Sequence, residues 1–333
     1  MVSVSTSREH RLRGCGRLAV ATIVAAAVAV GAAQTESPAI YRAGTDLVVL
    51  QVAVTDGQRR FVSGLRAENF SVLEEGLPQR IELFETSDAP LDMMVLIDTS
   101  ASMYARLEIT KKAATDLVKT LRPGDRVGLI LFNTTVALTR PLSEDRDSVI
   151  AGIRTATPIG STAMYESIYL ALHTLTRARH AQEGVRRQAL VVLSDGMDNA
   201  SHIPFEQALD AARTSDVTIF TIVPAEKATV PVPEELNWLD RTMRFEMRRL
   251  AEDTGGRAFV TTDPAELPGV YEQIGSELRE QYWLAYVPAT PQPGFRHVSV
   301  RVIDPRGLQA RTRAGYTAGS RIASHASPGA TTP

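Results

Sequence analysis

Three blocks of different hydrophobic periodicity follow one another along the chain. Over residues 46–88 apolar and polar positions alternate as in half-buried strands. Leu47-Val48-Val49-Leu50-Gln51-Val52-Ala53-Val54 leads to a turn at Asp56-Gly57, and Phe70-Ser71-Val72-Leu73 and Ile81-Glu82-Leu83-Phe84 are separated by Glu75-Gly76. The pattern returns over residues 282–317, where Tyr282, Leu284 and Tyr286 alternate, then Val298, Val300 and Val302, with a turn at Asp304-Pro305-Arg306-Gly307. Each flank alone is too short to bury a stable core, so the two are predicted to pair into one small β-sandwich-like domain.

Between the flanks, over residues 89–281, short apolar runs alternate with helical spacing. Met93 to Asp98, Val127 to Phe132, Ala189 to Leu193, Val217 to Val223 and Ala258-Phe259-Val260 read as buried strands. Ala114, Leu117, Val118 and Leu121 mark a helix that stops at Pro123-Gly124, and Met164, Ile168, Ala171, Leu172 and Leu175 mark another. Leu239, Met243, Met247 and Leu250 stripe a third that ends at Gly255-Gly256, and a last helix covers about Ala265 to Glu280. This alternation predicts the α/β class: a doubly wound, mostly parallel, Rossmann-like sheet with its ligand site at the carboxyl ends of the strands, near the switch point.

The first residues read as an export leader rather than as fold. Arg8, Arg11, Arg13 and Arg17 precede the apolar run Leu18 to Val30, and Gly31-Ala32-Ala33 offers small residues for cleavage. Residues 1–33 are therefore expected to be a signal peptide, 34–45 a linker, and the destination periplasmic or secreted. An uncleaved leader acting as an anchor is the alternative, although the run is shorter than the ~20 residues a spanning helix wants. The only cysteine, Cys15, lies inside the leader and ahead of its apolar run, so lipid attachment does not fit it. A mature chain without thiols has no disulfides, thiolate metal sites or cysteine nucleophile. The Ser-, Ala-, Gly-, Thr- and Pro-rich residues 318–333 predict a disordered tail.

Charge adds one exclusion. In 333 residues, 36 Lys and Arg nearly balance 38 Asp and Glu, and a net charge of -2 gives no electrostatic reason to expect nucleic acid as a partner.

The candidate chemistry sits where three of the predicted strands and helices meet loops. Asp98-Thr99-Ser100-Ala101-Ser102 follows the run Met93 to Ile97, placing one carboxylate and two hydroxyls at alternate positions where a buried strand opens. Gly160-Ser161-Thr162 puts a hydroxyl at a helix start, and Ser194-Asp195-Gly196 ends another strand with a carboxylate. Asp98, Ser100, Ser102, Thr162 and Asp195 are all hard oxygen donors. They suit Mg²⁺, with Mn²⁺ or Ca²⁺ as alternatives, and include neither the His nor the Cys that zinc prefers.

Asp-x-Ser-x-Ser, a separate Thr and a separate Asp-Gly, in this order, resemble the metal-ion-dependent adhesion site of the von Willebrand factor type A domain, over about Leu91 to Glu280. Gly64-Leu65, Glu68-Asn69-Phe70, Glu74-Glu75-Gly76, Tyr282-Trp283-Leu284-Ala285-Tyr286 and Arg313-Ala314-Gly315-Tyr316 are similar to exported proteins of this type that are typical of Acidobacteria. The resemblance implies a metal ion with one open coordination position, filled by an Asp or Glu of a protein partner. It also implies a two-state behaviour in which Thr162 is engaged or released while the last helix moves. Two carboxylates only just offset a divalent charge, so a third, from outside, binds without serious repulsion.

Each motif also has a plainer reading when taken alone. Ser100, Ser102 and Thr162 are common helix caps, and Asp195-Gly196 is a common turn. Asp198 is expected to face solvent. His173 and His180 do not share a helix face. Trp238 and Glu234-Glu235 are expected in a partly exposed loop continuing the Pro-rich stretch Pro224 to Pro233. Asn69, Asn133 and Asn199 begin glycosylation-type triplets, which matter only in a eukaryotic secretory route. Two other functions stay open: a metal-assisted phosphohydrolase, which would need a second Asp where Ser100 stands, and a structural envelope protein with a vestigial site. The phosphate-binding, nucleophile-elbow, zinc-helix and dinucleotide motifs of common enzymes are absent from the sequence. A binding module rather than an enzyme is the reading favoured.

Overall fold

The computed structural model describes residues 47–86, 89–180, 186–195, 197–224, 234–261, 263–289, 292–303 and 307–318. The expected leader, the whole of the expected linker, the turn residues 304–306 and the tail beyond Ala318 lie outside these. In chain order the elements are β1 (Val48–Thr55), β2 (Phe70–Glu74), β3 (Leu77–Gln79), β4 (Ile81–Thr86), β5 (Leu91–Asp98), α1 (Leu107–Lys119), β6 (Arg126–Phe132), β7 (Val136–Ser143), α2 (Arg146–Arg154) and α3 (Met164–His180). They continue as β8 (Arg187–Leu193), α4 (Phe205–Thr214), β9 (Thr218–Pro224), α5 (Glu234–Asp253), β10 (Ala258–Thr261), α6 (Leu267–Arg279), β11 (Tyr282–Tyr286), β12 (Gly294–Val302), β13 (Gln309–Arg311) and β14 (Gly315–Ala318).

The six-stranded sheet has the order β10-β9-β8-β5-β6-β7, with every pair parallel except β6 and β7. From the central β5 the chain runs outward through β6 to β7, then crosses to β8 on the other side of β5. The β5/β8 boundary is therefore the switch point, where the connections leaving two neighbouring parallel strands run in opposite directions. The continuous apolar run of β5 follows from cover on both faces. Met93, Val95 and Ile97 pack with α1, α2 and α6, and Met94 and Leu96 pack with α3, α4 and α5. Asp92, fully buried in the same strand, is neutralised by Arg126 and Arg186.

The flanks form two four-stranded antiparallel sheets, β13-β1-β11-β4 and β14-β12-β2-β3. They share one core that includes Leu50, Val52, Phe70, Val72, Tyr282 and Leu284. One detail is added to the sequence reading: Phe70–Leu73 and Ile81–Phe84 do not pair with each other, because the short strand β3 lies between them and pairs with β2. With φ of 48° and 78°, Glu75 and Gly76 make the left-handed two-residue turn that closes the β2–β3 hairpin, and β4 crosses to the other sheet. A correction concerns Trp238 and Glu234-Glu235, which belong to α5 rather than to a loop. The helical stripe running on to Leu250 extends far enough back to include them.

Polar bridges tie the flanks to the α/β sheet. Gln51 of β1 donates to Asp216 O and accepts from Thr218 Oγ1, and Arg313 reaches Asp216 at 2.8 Å. Arg311 binds the buried Glu277 of α6. Among the described residues no helix is long and apolar enough to cross a membrane.

Candidate metal centre

Asp98 is the last residue of β5, and its predecessor Ile97 lies in register with Leu193, the last residue of β8. The two loops that follow therefore leave the sheet side by side at the switch point. Asp98 is fully buried, and both of its oxygens are held: Oδ1 accepts from Ser100 N at 2.8 Å and Oδ2 from Ser194 Oγ at 2.7 Å. Thr99, also buried, donates from N and Oγ1 to Phe132 O at the end of β6. These bonds turn the chain sharply, and Ser100 becomes the first residue free to direct its side chain along the loop.

Ser100 precedes a short 3₁₀ turn, Ala101–Met103, without capping it through its side chain. The plain cap reading thus fails for this residue. Its hydroxyl instead lies 3.0 Å from Ser102 Oγ. Burial falls along the loop, from Asp98 and Ser100, which are buried, to Ser102, which is exposed.

Thr162 is buried and held by its main chain. Its N–H donates to Asn199 Oδ1 at 2.8 Å, and its carbonyl accepts from the N–H groups of Asn199 and Ala200 at 3.0 Å each. The first turn of α3 is capped by other groups: Asp198 Oδ2 accepts from Tyr165 N at 2.8 Å, and Ser201 Oγ from Glu166 N at 3.2 Å. Asp198 is therefore a helix cap and not a solvent-facing charge. Asp195 is half-buried and accepts from Met197 N at 3.2 Å, while Gly196 lies outside the described residues.

The three loops are joined at the main chain. Ala101 N donates to Gly160 O at 3.0 Å, Ile159 N to Thr99 O at 2.8 Å and Ala163 N to Asn133 O at 2.8 Å. Gly160 has a φ of 78°, and a Cβ there would stand 2.5 Å from Thr134 Oγ1, the atom that accepts from Ser161 N. Glycine is required on both counts.

The electrostatics are those of a carboxylate short of positive charge. Burial pushes the Asp98 carboxyl up to about 6, hydrogen bonds from Ser100 and Ser194 pull it down, and the Asp195 charge raises it again. Among the described residues neither Asp98 nor Asp195 has an ion-pair partner within 4.0 Å. A small divalent cation fits this donor set. With metal–oxygen bonds of about 2.1 Å at right angles, neighbouring oxygens of an octahedron stand about 3.0 Å apart. The Ser100–Ser102 spacing matches that edge. No group of three or more His, Cys, Asp or Glu side chains suited to a metal occurs among the described residues, and His173 is exposed on α3. Any metal at this rim depends on hydroxyls.

The sequence reading missed Ser194 and Asn199. Ser194 stood beside Asp195 without a motif of its own, and Asn199 showed only its glycosylation-type triplet. That triplet now has a structural use, because its amide carbonyl holds Thr162.

Residues 93–197 match the family model described as von Willebrand factor type A domain. The match covers the part of the chain that carries β5 to β8, and β9 and β10, beyond the matched residues, complete the same sheet. The chain is 28% identical over 209 residues to a UPF0353 protein of Mycolicibacterium paratuberculosis, covering 56% of this chain and 60% of the relative. It thus spans about three-fifths of the curated relatives it matches first. Among solved structures it is similar to a von Willebrand factor type A protein from Catenulispora acidiphila, with 13% identity, a TM-score of 0.48 and coverage of 83% and 76% of the two chains. An aerotolerance-related membrane protein from Bacteroides fragilis shares 22% identity at a TM-score of 0.44, over 56% of this chain and 98% of the other.

Proposed function

We propose that this chain is an extracytoplasmic, metal-dependent protein-binding module, serving adhesion or assembly rather than catalysis. In this reading Asp98, Ser100, Ser102, Thr162 and Asp195 hold one divalent cation, Mg²⁺ in the first place, directly or through water. When bound, such an ion would supply a positively charged Lewis-acid centre able to accept a carboxylate. The chain's own residues prepare the site: Asp98 carries negative charge, Ser194 and the Ser100 N–H orient its two oxygens, and Ser102 reaches solvent. Two carboxylates and three neutral hydroxyls leave the ion without excess negative charge, which favours a carboxylate from a protein partner.

One observation carries the reading: two serine hydroxyls 3.0 Å apart, in the loop that follows a fully buried carboxylate with no ion-pair partner among the described residues. Export rests on the arginine-led apolar leader of the sequence. A phosphohydrolase lacks the second carboxylate of its catalytic pair, since Ser100 occupies that place.

Manganese titration of chelator-stripped protein, followed by water-proton relaxation, tests the proposal. One tightly bound Mn²⁺ per chain with enhanced relaxation is expected, because open positions exchange water, and Asp98→Ala is expected to abolish it. Saturable binding that Asp98→Ala leaves intact would place the ion elsewhere and overturn the assignment.

A further inference from the structure

The rim around the candidate centre has an unusual composition for a protein surface. Segments 99–105, 133–135 and 157–162, which supply most of it, contain no charged residue. They do contain two large exposed apolar side chains, Tyr104 at 80% and Ile159 at 64% exposure. No other large apolar side chain among the described residues is as exposed as Tyr104.

These two residues are fixed relative to the candidate ligands. Tyr104 stands two positions after Ser102, with its N–H on Ala101 O at 3.2 Å. Ile159 stands three positions before Thr162, with its N–H on Thr99 O at 2.8 Å. The Ala101 to Gly160 bond joins the two loops directly. These main-chain bonds hold the backbone of both residues close to Ser100 and Ser102 in the chain, and both side chains present apolar surface to water. Exposed apolar groups on a rigid frame are the usual make-up of a contact centre, with polar groups around them. The three segments offer a basic partner no acidic group, and the carboxylates of the loop after β8 are engaged otherwise, Asp195 at the proposed metal position and Asp198 at the start of α3.

We infer that Tyr104 and Ile159 form the apolar half of the binding face, and that the partner presents its Asp or Glu flanked by large apolar residues. This rests on the metal-bridging reading above and adds which carboxylates the site selects. Gly160 and Ser161, small and exposed between the two, leave the carboxylate a path to the metal position.

The test uses the full chain loaded with Mg²⁺ and three capped tripeptides, Phe-Asp-Leu, Gly-Asp-Gly and Lys-Asp-Lys, titrated calorimetrically with and without chelator. Phe-Asp-Leu is expected to bind at least about tenfold more tightly than Gly-Asp-Gly, the order expected from burying part of two apolar side chains. Lys-Asp-Lys should gain nothing. In the double variant Tyr104→Ala/Ile159→Ala the preference should fall below about threefold, while the thermal shift caused by Mg²⁺ stays as in wild type. Equal affinities for the three peptides, a preference that survives in the double variant, or an Mg²⁺ shift without Phe-Asp-Leu binding would each overturn the inference. Loss of any Mg²⁺ response in wild type would overturn the metal reading itself and the inference with it.

Discussion

The Ser194 hydroxyl donates to Asp98 Oδ2 at 2.7 Å across the β5/β8 boundary, so a neutral residue of one strand end orients the buried carboxylate of the next. Partners of this kind fix a ligand's direction and typically change metal affinity 10–100-fold when removed. Ser194→Ala is accordingly expected to weaken Mg²⁺ binding by about tenfold or more, read by calorimetry, without a comparable loss of metal-free stability. Unchanged affinity would show that Asp98 needs no orientation from β8.

The raised Asp98 carboxyl makes a pH prediction whose sign is fixed. Its folded-state value of about 6 lies above the ordinary 3.8, so the folded metal-free protein binds this proton more tightly than the unfolded chain. The associated stability is fully present below the unfolded value and is lost as pH rises through about 6. Asp98→Asn should therefore be more stable than wild type without metal at neutral pH, by up to about 3 kcal/mol, with the gain vanishing below about pH 4. Chemical denaturation in the presence of chelator at several pH values decides it. A pH-independent difference would mean that the carboxyl is not the source.

Asp198 ties the loop after β8 to α3. Removing it exposes the first-turn amides of Tyr165 and Glu166, the latter through the Ser201 it holds at 2.7 Å. Asp198→Ala should cost about 1 kcal/mol in urea unfolding, the usual value of a lost cap. It should also loosen Thr162, seen as faster hydrogen exchange over 159–165. Stability within error of wild type would contradict the capping role.

The Glu277–Arg311 pair joins α6 to β13 with the carboxylate side chain 1% exposed. Arg311→Ala leaves that charge buried without its cation and should cost about 3 kcal/mol, whereas Glu277→Gln in the same background should recover part of the loss. Thermal melts of wild type and the two variants give the answer. This pair also bears on the proposed two-state behaviour, because it tethers the helix that would move. If Mg²⁺ with an acidic peptide leaves hydrogen exchange over 267–279 unchanged, the two-state proposal falls.

Much of the α/β part was legible because its strands are buried on both faces. The runs at Met93 to Ile97 and Ala189 to Leu193 are apolar for that reason, and their strand-end carboxylates therefore stood out. Edge elements carry a weaker signature: Ala137 and Leu138 of β7 are exposed and Pro141 interrupts its pattern, as suits an antiparallel edge. The short α2 and α4 were missed because ten or fewer residues show too little of a helical period. The crossing of β4 to the second sheet depends on long-range pairing with β11, which local alternation does not encode. At the candidate site the oxygen donors were legible from residue type and order. The groups that hold them, Ser194, Asp198 and Asn199, were not, since their roles arise only when the loop after β8 folds against Asp98 and the start of α3.

The most direct measurement is the melting temperature of chelator-stripped protein against added Mg²⁺, for wild type and Asp98→Ala in parallel. An ion that binds only the folded chain stabilises it by mass action, about 2.7 kcal/mol at a hundredfold excess over its dissociation constant. The account predicts a saturable rise for wild type and none for a still-folded Asp98→Ala. Equal responses in the two proteins, or no response in wild type, would contradict it.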